Sequence, residues 1–407
     1  MRSLTLDVAV PREHQPEILK NLYWVDSGIE AFAFDPADGR QLAYRYKLGP
    51  VPDRLDSRVK DSANRLARSL QVLPSKTIFE QTPKTRGCAN PYDELCLRGW
   101  IRPAAAGTHL YGGLFFELFQ ALDLAFLQAA RRLDVAEFKF PSLISAETLA
   151  QSGYLDGFPH HANFVCHLPE QAELVEQFKL RLKSREDRAA IPLEHLCDHA
   201  GAALSPTVCY HFYQCHAGCV VPRASLFSAT AQSPCYRFEG KAMRGLRRLR
   251  EFNMREIIFL GAAERVKSRH DALVEAQKTL LQRCELHSAI RTASDPFFLD
   301  SYDKKRVFQL SFDLKYETQA WLPHEEEWLA IGSVNYHQDH FGKAFRITLD
   351  TGEPAHSCCL GFGLDRWCLA IFAQHGLEPE HWPAGVREIL EAHRSTKLAG
   401  KEGGAQP

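Results

Sequence analysis

The chain of 407 residues carries no excess charge of either sign, because 49 Lys and Arg residues face 50 Asp and Glu residues. A surface devoted entirely to nucleic acid needs a surplus of basic residues, so this balance excludes that class of protein and leaves room only for a local basic patch. No stretch approaches the ~20 apolar residues of a membrane-spanning helix, and residues 1–11 lack the pattern of a secretion signal. We therefore expect a cytoplasmic protein that makes no membrane contact.

Cysteine, in contrast, is plentiful, at twelve residues. In a chain without a secretion signal, cysteines are expected to be reduced thiols or metal ligands, since cytosolic glutathione keeps thiols reduced. Most of them should be small buried residues. The composition, 45% apolar and 24% charged, is that of an ordinary globular protein long enough for one large domain and one small one.

The N-terminal region, residues 1–85, has the pattern of a small α+β module, with strands predicted at 4–10, 31–34 and 42–48 and helices at 17–23 and 53–70. The second helix mixes basic and acidic residues and is either a solvated face or an acceptor-binding patch. Its basic residues are Arg54, Arg58, Lys60, Arg65 and Arg68. Prolines and glycines predict a linker at 72–92, and residues 93–397 form the larger predicted domain. Residues 398–407, rich in Gly and Ala, are predicted to be disordered.

A long amphipathic helix is predicted at residues 114–133, because Leu114, Leu118, Leu122 and Phe126 recur at four-residue steps. A predicted strand follows and ends at Phe140-Pro141. Further on, the polar helical stretch 169–202 is either a docking surface for an acidic partner or a solvated face. Its basic residues are Lys179, Arg181, Lys183, Arg185 and Arg188.

Two separated segments carry the most specific pattern. The first runs from Tyr236-Arg237-Phe238-Glu239 to Phe252 and Glu256, and the second is Gly361-Phe362-Gly363-Leu364-Asp365-Arg366. They resemble motifs 2 and 3 of the class II aminoacyl-tRNA synthetases, and the long helix with its following strand resembles motif 1, which builds the dimer interface. The alternative is a plain β-hairpin with a surface ion pair and a buried aromatic, but the occurrence of both patterns in this order argues against it. The resemblance implies an α+β fold in which helices flank an antiparallel sheet, and a homodimer.

The resemblance also implies an ATP site that presents the α-phosphate to a carboxylate. Arg237, on a predicted strand, would supply the cation that stabilises charge on the phosphoryl oxygens, and Glu239 would contact the adenine side. Phe252 offers a flat face for the purine, Arg366 can cover its other side, and Gly361 and Gly363 let the backbone approach the nucleotide. The loop between the two strands, with Lys241, Arg244, Arg247, Arg248 and Arg250, would close over ATP or the acceptor, and we include Arg248 among the ATP-binding residues.

A carboxylate aimed into such a pocket needs an explanation. At period two, Phe252, Met254 and Glu256 share one strand face, so Glu256 would repel a triphosphate unless it neutralises a metal ion. Cys209 and Cys359 could supply two thiolates. Two cysteines and one glutamate with an open fourth position are typical of a catalytic zinc site.

The chain further resembles the amino acid:[carrier protein] ligases, relatives of the zinc-dependent seryl-tRNA synthetases of methanogenic archaea, over roughly residues 95–392. The segments that carry the likeness are Gly153-Tyr154-Leu155, Thr207-Val208-Cys209-Tyr210, Asn335-Tyr336-His337, Asp339-His340-Phe341-Gly342, Ala355-His356-Ser357-Cys358-Cys359 and Trp382-Pro383. In that family, zinc bound by two cysteines and a glutamate captures the α-amino group of the substrate. The resemblance therefore implies Cys209, Glu256 and Cys359 as ligands, with Asn335 and His337 lining the amino-acid pocket.

Two assignments among the cysteines remain open at this point. Cys358 adjoins Cys359, and since neighbouring residues of a strand point to opposite faces, only one of them can be a ligand; we favour Cys359. Cys215 and Cys219 follow Cys209 at spacings that could make a second metal site, although free thiols are the favoured interpretation.

We expect the protein to activate a small amino acid, glycine or alanine, with ATP and Mg²⁺, and to transfer it to the phosphopantetheine thiol of a carrier protein. The compact family lacks an N-terminal module, so a seryl-tRNA synthetase-like enzyme that aminoacylates tRNA is the nearest alternative. Against tRNA, residues 1–87 hold 14 Lys and Arg and 11 Asp and Glu, a difference of only +3. A non-catalytic paralogue that binds nucleotide or tRNA is a third alternative.

Overall fold

The computed structural model describes residues 1–47, 49–71, 75–184, 197–293 and 314–402. The N-terminal module contains a three-stranded antiparallel sheet in the order β1-β3-β2, and two helices pack on it. Its elements are β1 (Arg2–Thr5), α1 (Gln15–Leu22), β2 (Ile29–Phe34), β3 (Gln41–Tyr46) and α2 (Leu55–Gln71). Leu42 and Tyr44 of β3 and Ile18 of α1 are fully buried in a core that belongs to the module. The module therefore has its own apolar centre.

The basic residues of α2 largely pair within the module. Lys60 and Arg68 both reach Asp7, at 3.0 and 3.5 Å, and Arg58 lies 3.9 Å from Asp26. These neighbours neutralise the charges that a phosphate-tracking surface would use. Of the two interpretations of this helix, the structure favours the mixed solvated face.

A seven-stranded antiparallel sheet forms the centre of the larger domain, in the order β11-β12-β17-β15-β14-β13-β4. Its strands are β4 (Thr77–Gln81), β11 (Leu226–Tyr236), β12 (Glu251–Gly261), β13 (Ser288–Thr292), β14 (Lys315–Leu322), β15 (Glu327–Gln338) and β17 (His356–Gly363). The edge strand β4 lies inside the segment predicted to be a linker. Pro74 and Pro83 suggested a connection there, but the five residues of β4 contain neither Pro nor Gly and pair with β13.

Short strands and helices surround this sheet. The strands are β5 (Ile101–Ala105), β6 (Thr108–Tyr111), β7 (Leu143–Ser145), β8 (Phe164–His167), β9 (Asp198–Leu204), β10 (Val220–Val221) and β16 (Thr348–Leu349). The helices are α3 (Pro91–Leu97), α4 (Gly113–Arg132), α5 (Ala146–Gln151), α6 (Tyr154–Gly157), α7 (Ala172–Ser184), α8 (Cys209–Cys215), α9 (Ala263–Arg283), α10 (His340–Ala344), α11 (Leu364–His375) and α12 (Ala384–Glu402). Helix α12 extends five residues into the segment predicted to be disordered, and residues 403–407 lie outside the described residues, as do Arg185 and Arg188 of the predicted basic stretch.

Helix α4 is the predicted amphipathic helix, and it packs against the sheet, α11 and α12. Leu118, Leu122 and Phe126 are fully buried, and the ring of Phe126 stacks on that of Phe362 at 4.0 Å. By length and composition this helix could cross a membrane, but 56% of its apolar window is buried inside the protein, as in a core helix. The strand predicted to end at Phe140-Pro141 is absent: a single parallel bridge joins Glu137 to Thr230 of the edge strand β11. Pro141 cannot donate a ladder hydrogen bond, which limits continuation of the pairing.

A buried arginine ties α4 to the sheet. Arg255 of β12 is 2% exposed, and its guanidinium donates two hydrogen bonds to Asp123 of α4, at 2.6 and 2.8 Å, and one to Glu137 at 2.9 Å. Because Arg255 precedes Glu256 on the strand, its side chain points away from the face that carries Glu256. The ion pair therefore holds β12 from the face of the sheet opposite to the one that carries Glu256.

Replacing Asp123 with Ala should lower the free energy of unfolding by about 3 kcal/mol, because it leaves a buried guanidinium without its main partner. Glu117→Ala is the matched control on the same helix. Glu117 pairs with the half-exposed Arg394, and the loss should be about 1 kcal/mol or less. Urea unfolding of both variants checks the difference, and equal losses would contradict the role of Arg255.

Candidate active site and metal-binding cluster

A cavity of about 1100 Å³ opens on one face of the central sheet. All but one of the residues predicted for the site line it, namely Cys209, Arg237, Glu239, Phe252, Glu256, Asn335, His337, Cys359, Gly361, Gly363 and Arg366. The exception, Arg248, lies next to the cavity and forms an ion pair with Glu239 at 2.8 Å. The two sequence segments, about a hundred residues apart, thus converge on a single cavity.

The register of β12 and β17 builds the floor of this cavity. Phe252, Met254 and Glu256 of β12 face it, as the period of two predicts, and Met254 and Glu256 pair with Gly363 and Gly361. A Cβ atom on Gly361 would lie 2.7 Å from the methyl carbon of Met254. A side chain at this position would therefore have to displace the flexible end of Met254 within the floor.

Arg237 lies one residue beyond the end of β11, where the sequence had suggested the interior of a strand. Its backbone N–H donates to the carbonyl of Arg250 at 3.0 Å, and its Nε donates to the carbonyl of Pro206 at 3.2 Å. The guanidinium lies over the ring of Phe252, 5.1 Å from the centroid. These contacts, rather than a position within the strand, hold the side chain in the cavity wall.

The charges around Arg237 are mostly positive and mostly buried. Burial opposes ionisation of Glu239, but the positive charges of Arg248 and of Lys20 in α1 outweigh it and lower the pKa of Glu239 to about 2. Burial, together with the charges of Arg248 and Arg237, lowers the pKa of Arg366 to about 10. Arg366 donates to the carbonyl of Ala330 at 2.9 Å. Such a concentration of guanidinium groups suits a polyanionic ligand.

Three side chains form a cluster at another part of the cavity. Cys209 begins α8, Glu256 lies on β12 and Cys359 lies on β17; all three are buried, and their ligand atoms lie within 4.8 Å of one another. Among the described residues, no other group of three or more His, Cys, Asp or Glu side chains has this metal-binding arrangement. Cys215 and Cys219 do not contribute to it.

The hydrogen bonds of Glu256 indicate that the cluster fits a metal ion. One carboxylate oxygen accepts from the hydroxyl of Thr207 at 2.5 Å and from the backbone N–H of Val208 at 3.1 Å. The other oxygen is buried without a hydrogen-bond partner, which is costly for a carboxylate. A cation between the carboxylate and the two sulfur atoms would satisfy it. Thr207 is a residue that sequence reasoning did not single out, although it lies two positions before Cys209.

The acid–base properties of the cluster agree with this fit. Burial, reinforced by the charge of Cys359, raises the pKa of Glu256 to about 7. Burial raises the pKa of Cys209, while a hydrogen bond from Cys209 lowers the pKa of Cys359. Without a cation, ionisation of Glu256 and Cys209 is therefore unfavourable, because their negative charges would be buried close to one another. A bound metal ion would favour the ionised form of all three groups.

The neighbouring cysteine faces the other way. The Sγ of Cys358 donates to the carbonyl of Val266 in α9 at 3.5 Å, and its side chain belongs to the main core. Cys359 instead lies 3.6 Å from Nδ2 of Asn335 and 3.7 Å from Nε2 of His337. The structure thus brings Cys359, together with both predicted pocket residues, to the cluster.

Comparison with known proteins identifies the family of the chain. The family model of the tRNA synthetase class II core domain (G, H, P, S and T) matches residues 197–375. The amino acid–[acyl-carrier-protein] ligase 2 of Bradyrhizobium diazoefficiens is 32% identical over 303 residues, which make up 74% of this chain and 88% of that protein. The chain belongs to this family of class II synthetase-like ligases. The predicted family and the predicted α+β fold are both confirmed.

A serine–tRNA ligase matches a longer part of the chain. The type-2 serine–tRNA ligase of Methanopyrus kandleri is 28% identical over 382 residues, 90% of this chain and 72% of that enzyme. The enzyme of Methanocaldococcus jannaschii is 29% identical, and the match spans 59% of its length. The crystal structure of M. kandleri SerRS in complex with A. aeolicus tRNASec superposes with a TM-score of 0.69 at 25% identity, covering 96% of this chain and 77% of that one. The N-terminal module is therefore largely included in the structural match.

Two further residues connect the family motifs. Asp365, which precedes Arg366 in motif 3, is fully buried; it accepts from the backbone N–H of Asn253 at 2.6 Å and from the hydroxyl of Tyr111 at 2.5 Å. It thereby ties the start of α11 to β12. Asp365 lies within the sequence motif, but the motif suggested no role for it. No sequence pattern pointed to Tyr111, which is about 250 residues away in the chain.

In the metal-free protein, Glu256 should make stability depend on pH. Its pKa in the folded state, about 7, exceeds the value of about 4.3 expected in the unfolded chain. Its favourable contribution is therefore fully present below pH 4 and is lost as the pH rises through 7. Between pH 4 and 8, wild type should lose about 3 kcal/mol more than Glu256→Gln. Urea unfolding in chelator measures this, and parallel curves would refute the shift.

Proposed function

We propose that the enzyme activates a small amino acid as its aminoacyl-adenylate and transfers it to the phosphopantetheine thiol of a carrier protein. The observation that carries the proposal is the metal-fitting cluster on the same sheet face as Arg237 and Phe252. A substrate with its amine at the cluster would direct its carboxylate towards the guanidinium groups. The carboxylate oxygen attacks the α-phosphorus of ATP and pyrophosphate leaves. The thiol then attacks the carbonyl carbon, AMP leaves, and a thioester forms.

Cys209, Glu256 and Cys359 would hold the zinc ion, and Thr207 and the backbone of Val208 orient the carboxylate. When bound, zinc supplies a Lewis-acid position that accepts the substrate's α-amino group. Asn335 and His337 flank Cys359 and would contact the amino acid. The roles of these residues are proposed from the family pattern and the geometry together.

At the ATP end of the cavity, the side chains would position the nucleotide and neutralise the charge of its phosphates. Arg237 would stabilise charge on the α-phosphate, Phe252 would stack on the adenine, and Arg366 would reach the terminal phosphate. Glu239 holds Arg248 by an ion pair and would contact the adenine side. Mg²⁺ would neutralise the remaining phosphate charge, and Gly361 and Gly363 leave room for the nucleotide.

The surroundings of the cluster favour a small substrate, glycine or alanine. The rings of Tyr213 and Phe341 stack at 4.2 Å, and the ring of His337 lies 4.9 Å from Phe341. Tyr213 supports Phe341 from the core, and Phe341, His337 and Met254 line the cavity and would border a bound amine. A bulky substrate side chain would have to displace them.

Two molecules are candidates for the acceptor of the activated amino acid, a carrier protein and tRNA. A carrier protein is supported by the greater identity to the Bradyrhizobium ligase, whose length is 88% covered, and by the paired basic residues of α2. Transfer to tRNA is the second candidate, because the N-terminal module has a counterpart in the M. kandleri enzyme, which was crystallised with a tRNA. A non-catalytic paralogue is disfavoured by the complete set of ATP-site residues.

Two further elements of the proposal concern assembly and location. Phe116 on α4 and Phe138 beyond it are 41% and 52% exposed, and they lie in the motif 1 segment through which we propose a homodimer. All twelve cysteines are free thiols, which fits the reducing cytoplasm that we propose as the location.

Cys359→Ala should remove bound zinc and amino-acid activation, because it takes away one of three ligands. Cys358→Ala is the matched control: the same atoms are deleted one residue away, on the opposite face, and zinc should stay at one ion per chain. Metal analysis and amino-acid-dependent pyrophosphate exchange measure both effects. Full zinc occupancy in the Cys359 variant would refute the ligand assignment.

The acceptor should be identified by offering the zinc-loaded enzyme ATP and labelled glycine, alanine or serine, with total tRNA and a phosphopantetheinylated carrier protein in parallel. We expect label on the carrier, released by hydroxylamine and absent when the carrier lacks phosphopantetheine. Label on tRNA alone would establish the second candidate. Absence of both transfer and pyrophosphate exchange would contradict the proposed chemistry as a whole.

A further inference from the structure

The loop between β11 and β12 contains a tight turn, residues 244–248, which we call the loop tip. The backbone N–H of Arg244 donates to the carbonyl of Arg248 at 3.0 Å, and the carbonyl of Arg244 accepts from the N–H groups of Arg247 at 3.0 Å and Arg248 at 3.2 Å. Leu246, at the centre of the tip, is 1% exposed and belongs to the main core. The loop tip is therefore folded back on itself and anchored in the protein interior.

An acidic turn of the central sheet holds the loop tip. This acidic turn, residues 325–327, connects β14 to β15. The guanidinium of Arg247 donates to the carboxylates of both Glu325 and Glu327, and that of Arg244 lies 2.9 Å from Glu325. The side chains of Arg247 and Glu325 are only 16% and 19% exposed, so solvent screens this ion pair much less than a surface pair. Loss of the carboxylate would leave a largely buried guanidinium without one of its two partners.

The residues that follow Arg247 belong to the wall of the cavity. Arg248 forms its ion pair with Glu239 at 2.8 Å, and Glu239 lines the cavity. Leu249 lines the cavity as well and is 4% exposed. Because Arg247 and Arg248 are consecutive in a tight turn, the attachment of the first to the acidic turn limits where the guanidinium of the second can lie.

The other basic residues of the loop also have partners within the protein. The Nζ of Lys241 donates to the carbonyl of Ser27 in the N-terminal module at 2.8 Å, and the Nε of Arg250 donates to the side chain of Asn163 at 3.2 Å. All five basic side chains of the loop are therefore engaged. A loop that moved over an arriving polyanion would have to give up such contacts, whereas a loop that stays in place keeps them. The contacts favour a fixed wall over a lid.

We propose that the acidic turn is a working part of the nucleotide site, in which Arg247 is a positioning residue. Held by Glu325 and Glu327, Arg247 sets the loop tip so that Arg248 meets Glu239 at the edge of the cavity. This inference rests on the proposed use of ATP. Neither Glu325 nor Glu327 is among the described residues that line the cavity, so both act on the nucleotide through the loop tip.

The test compares Glu325→Gln with Glu326→Gln, a matched control at the neighbouring, exposed position. Glu325→Gln should raise both the Kd for ATP in calorimetry and the KM for ATP in pyrophosphate exchange by about tenfold, because Arg247 loses the charge that holds the loop tip. Zinc content and the KM for the amino acid should stay at their wild-type values, which a general structural defect would not allow. Glu326→Gln should match wild type in all four measurements.

Two further variants test whether the effect passes through Arg247. Glu327→Gln removes the more exposed of the two partners and should weaken ATP binding in the same direction by a smaller factor. The double variant Glu325→Gln with Arg247→Met should bind ATP no more weakly than Arg247→Met alone, because both changes act through one contact.

The sign of the change in Glu325→Gln separates the proposal from its alternative. If Arg247 were a lid residue that leaves the acidic turn to bind phosphate, its release would tighten ATP binding. Tighter or unchanged binding in Glu325→Gln would therefore overturn the proposal, as would a loss of zinc or an equal fall in all kinetic constants. A wild-type protein that binds ATP but activates no amino acid would contradict the proposed function and leave the calorimetric test of Glu325 valid.

Discussion

A carboxylate buried between two thiols is the constraint on which the active site depends. One oxygen of Glu256 accepts hydrogen bonds from Thr207 and Val208, and the other is buried without a hydrogen-bond partner. A cation bound between the carboxylate and the two sulfur atoms would satisfy this second oxygen. Arg255 fixes β12 from behind, β17 supplies Cys359 from one side, and the first turn of α8 supplies Cys209 from the other.

The second organising interaction is the mutual support of buried charges around Glu239. A carboxylate and several guanidinium groups can share a poorly solvated wall only if each charge has an opposite neighbour, and the ion pair with Arg248 provides the first of these. The N-terminal module, which folds around its own core, contacts the hairpin beside this wall through Trp24 and Lys241.

The prediction from sequence was most successful where spacing is translated directly into geometry. The period of two placed Phe252, Met254 and Glu256 on one face, and the opposite orientation of adjacent residues separated Cys358 from Cys359. The prediction was less successful for edge strands and for the ends of strands. The segment before Pro141 forms a single bridge, β4 occupies the supposed linker, and Arg237 lies beyond its strand, because pairing at an edge depends on neighbours that are distant in the chain.

The sequence by itself determined the family, the α+β class, the period of the core helix and the identity of the cluster residues, since each follows from local spacing or from motifs in a fixed order. Only the tertiary structure decided that Thr207 orients Glu256, that Tyr111 and Asp365 join the start of α11 to β12, and that Trp24 of the N-terminal module packs against Phe238. The physical reason is the same in each case. Hydrogen bonds and through-space charge link residues up to about 250 positions apart, and local periodicity carries no information about such pairs.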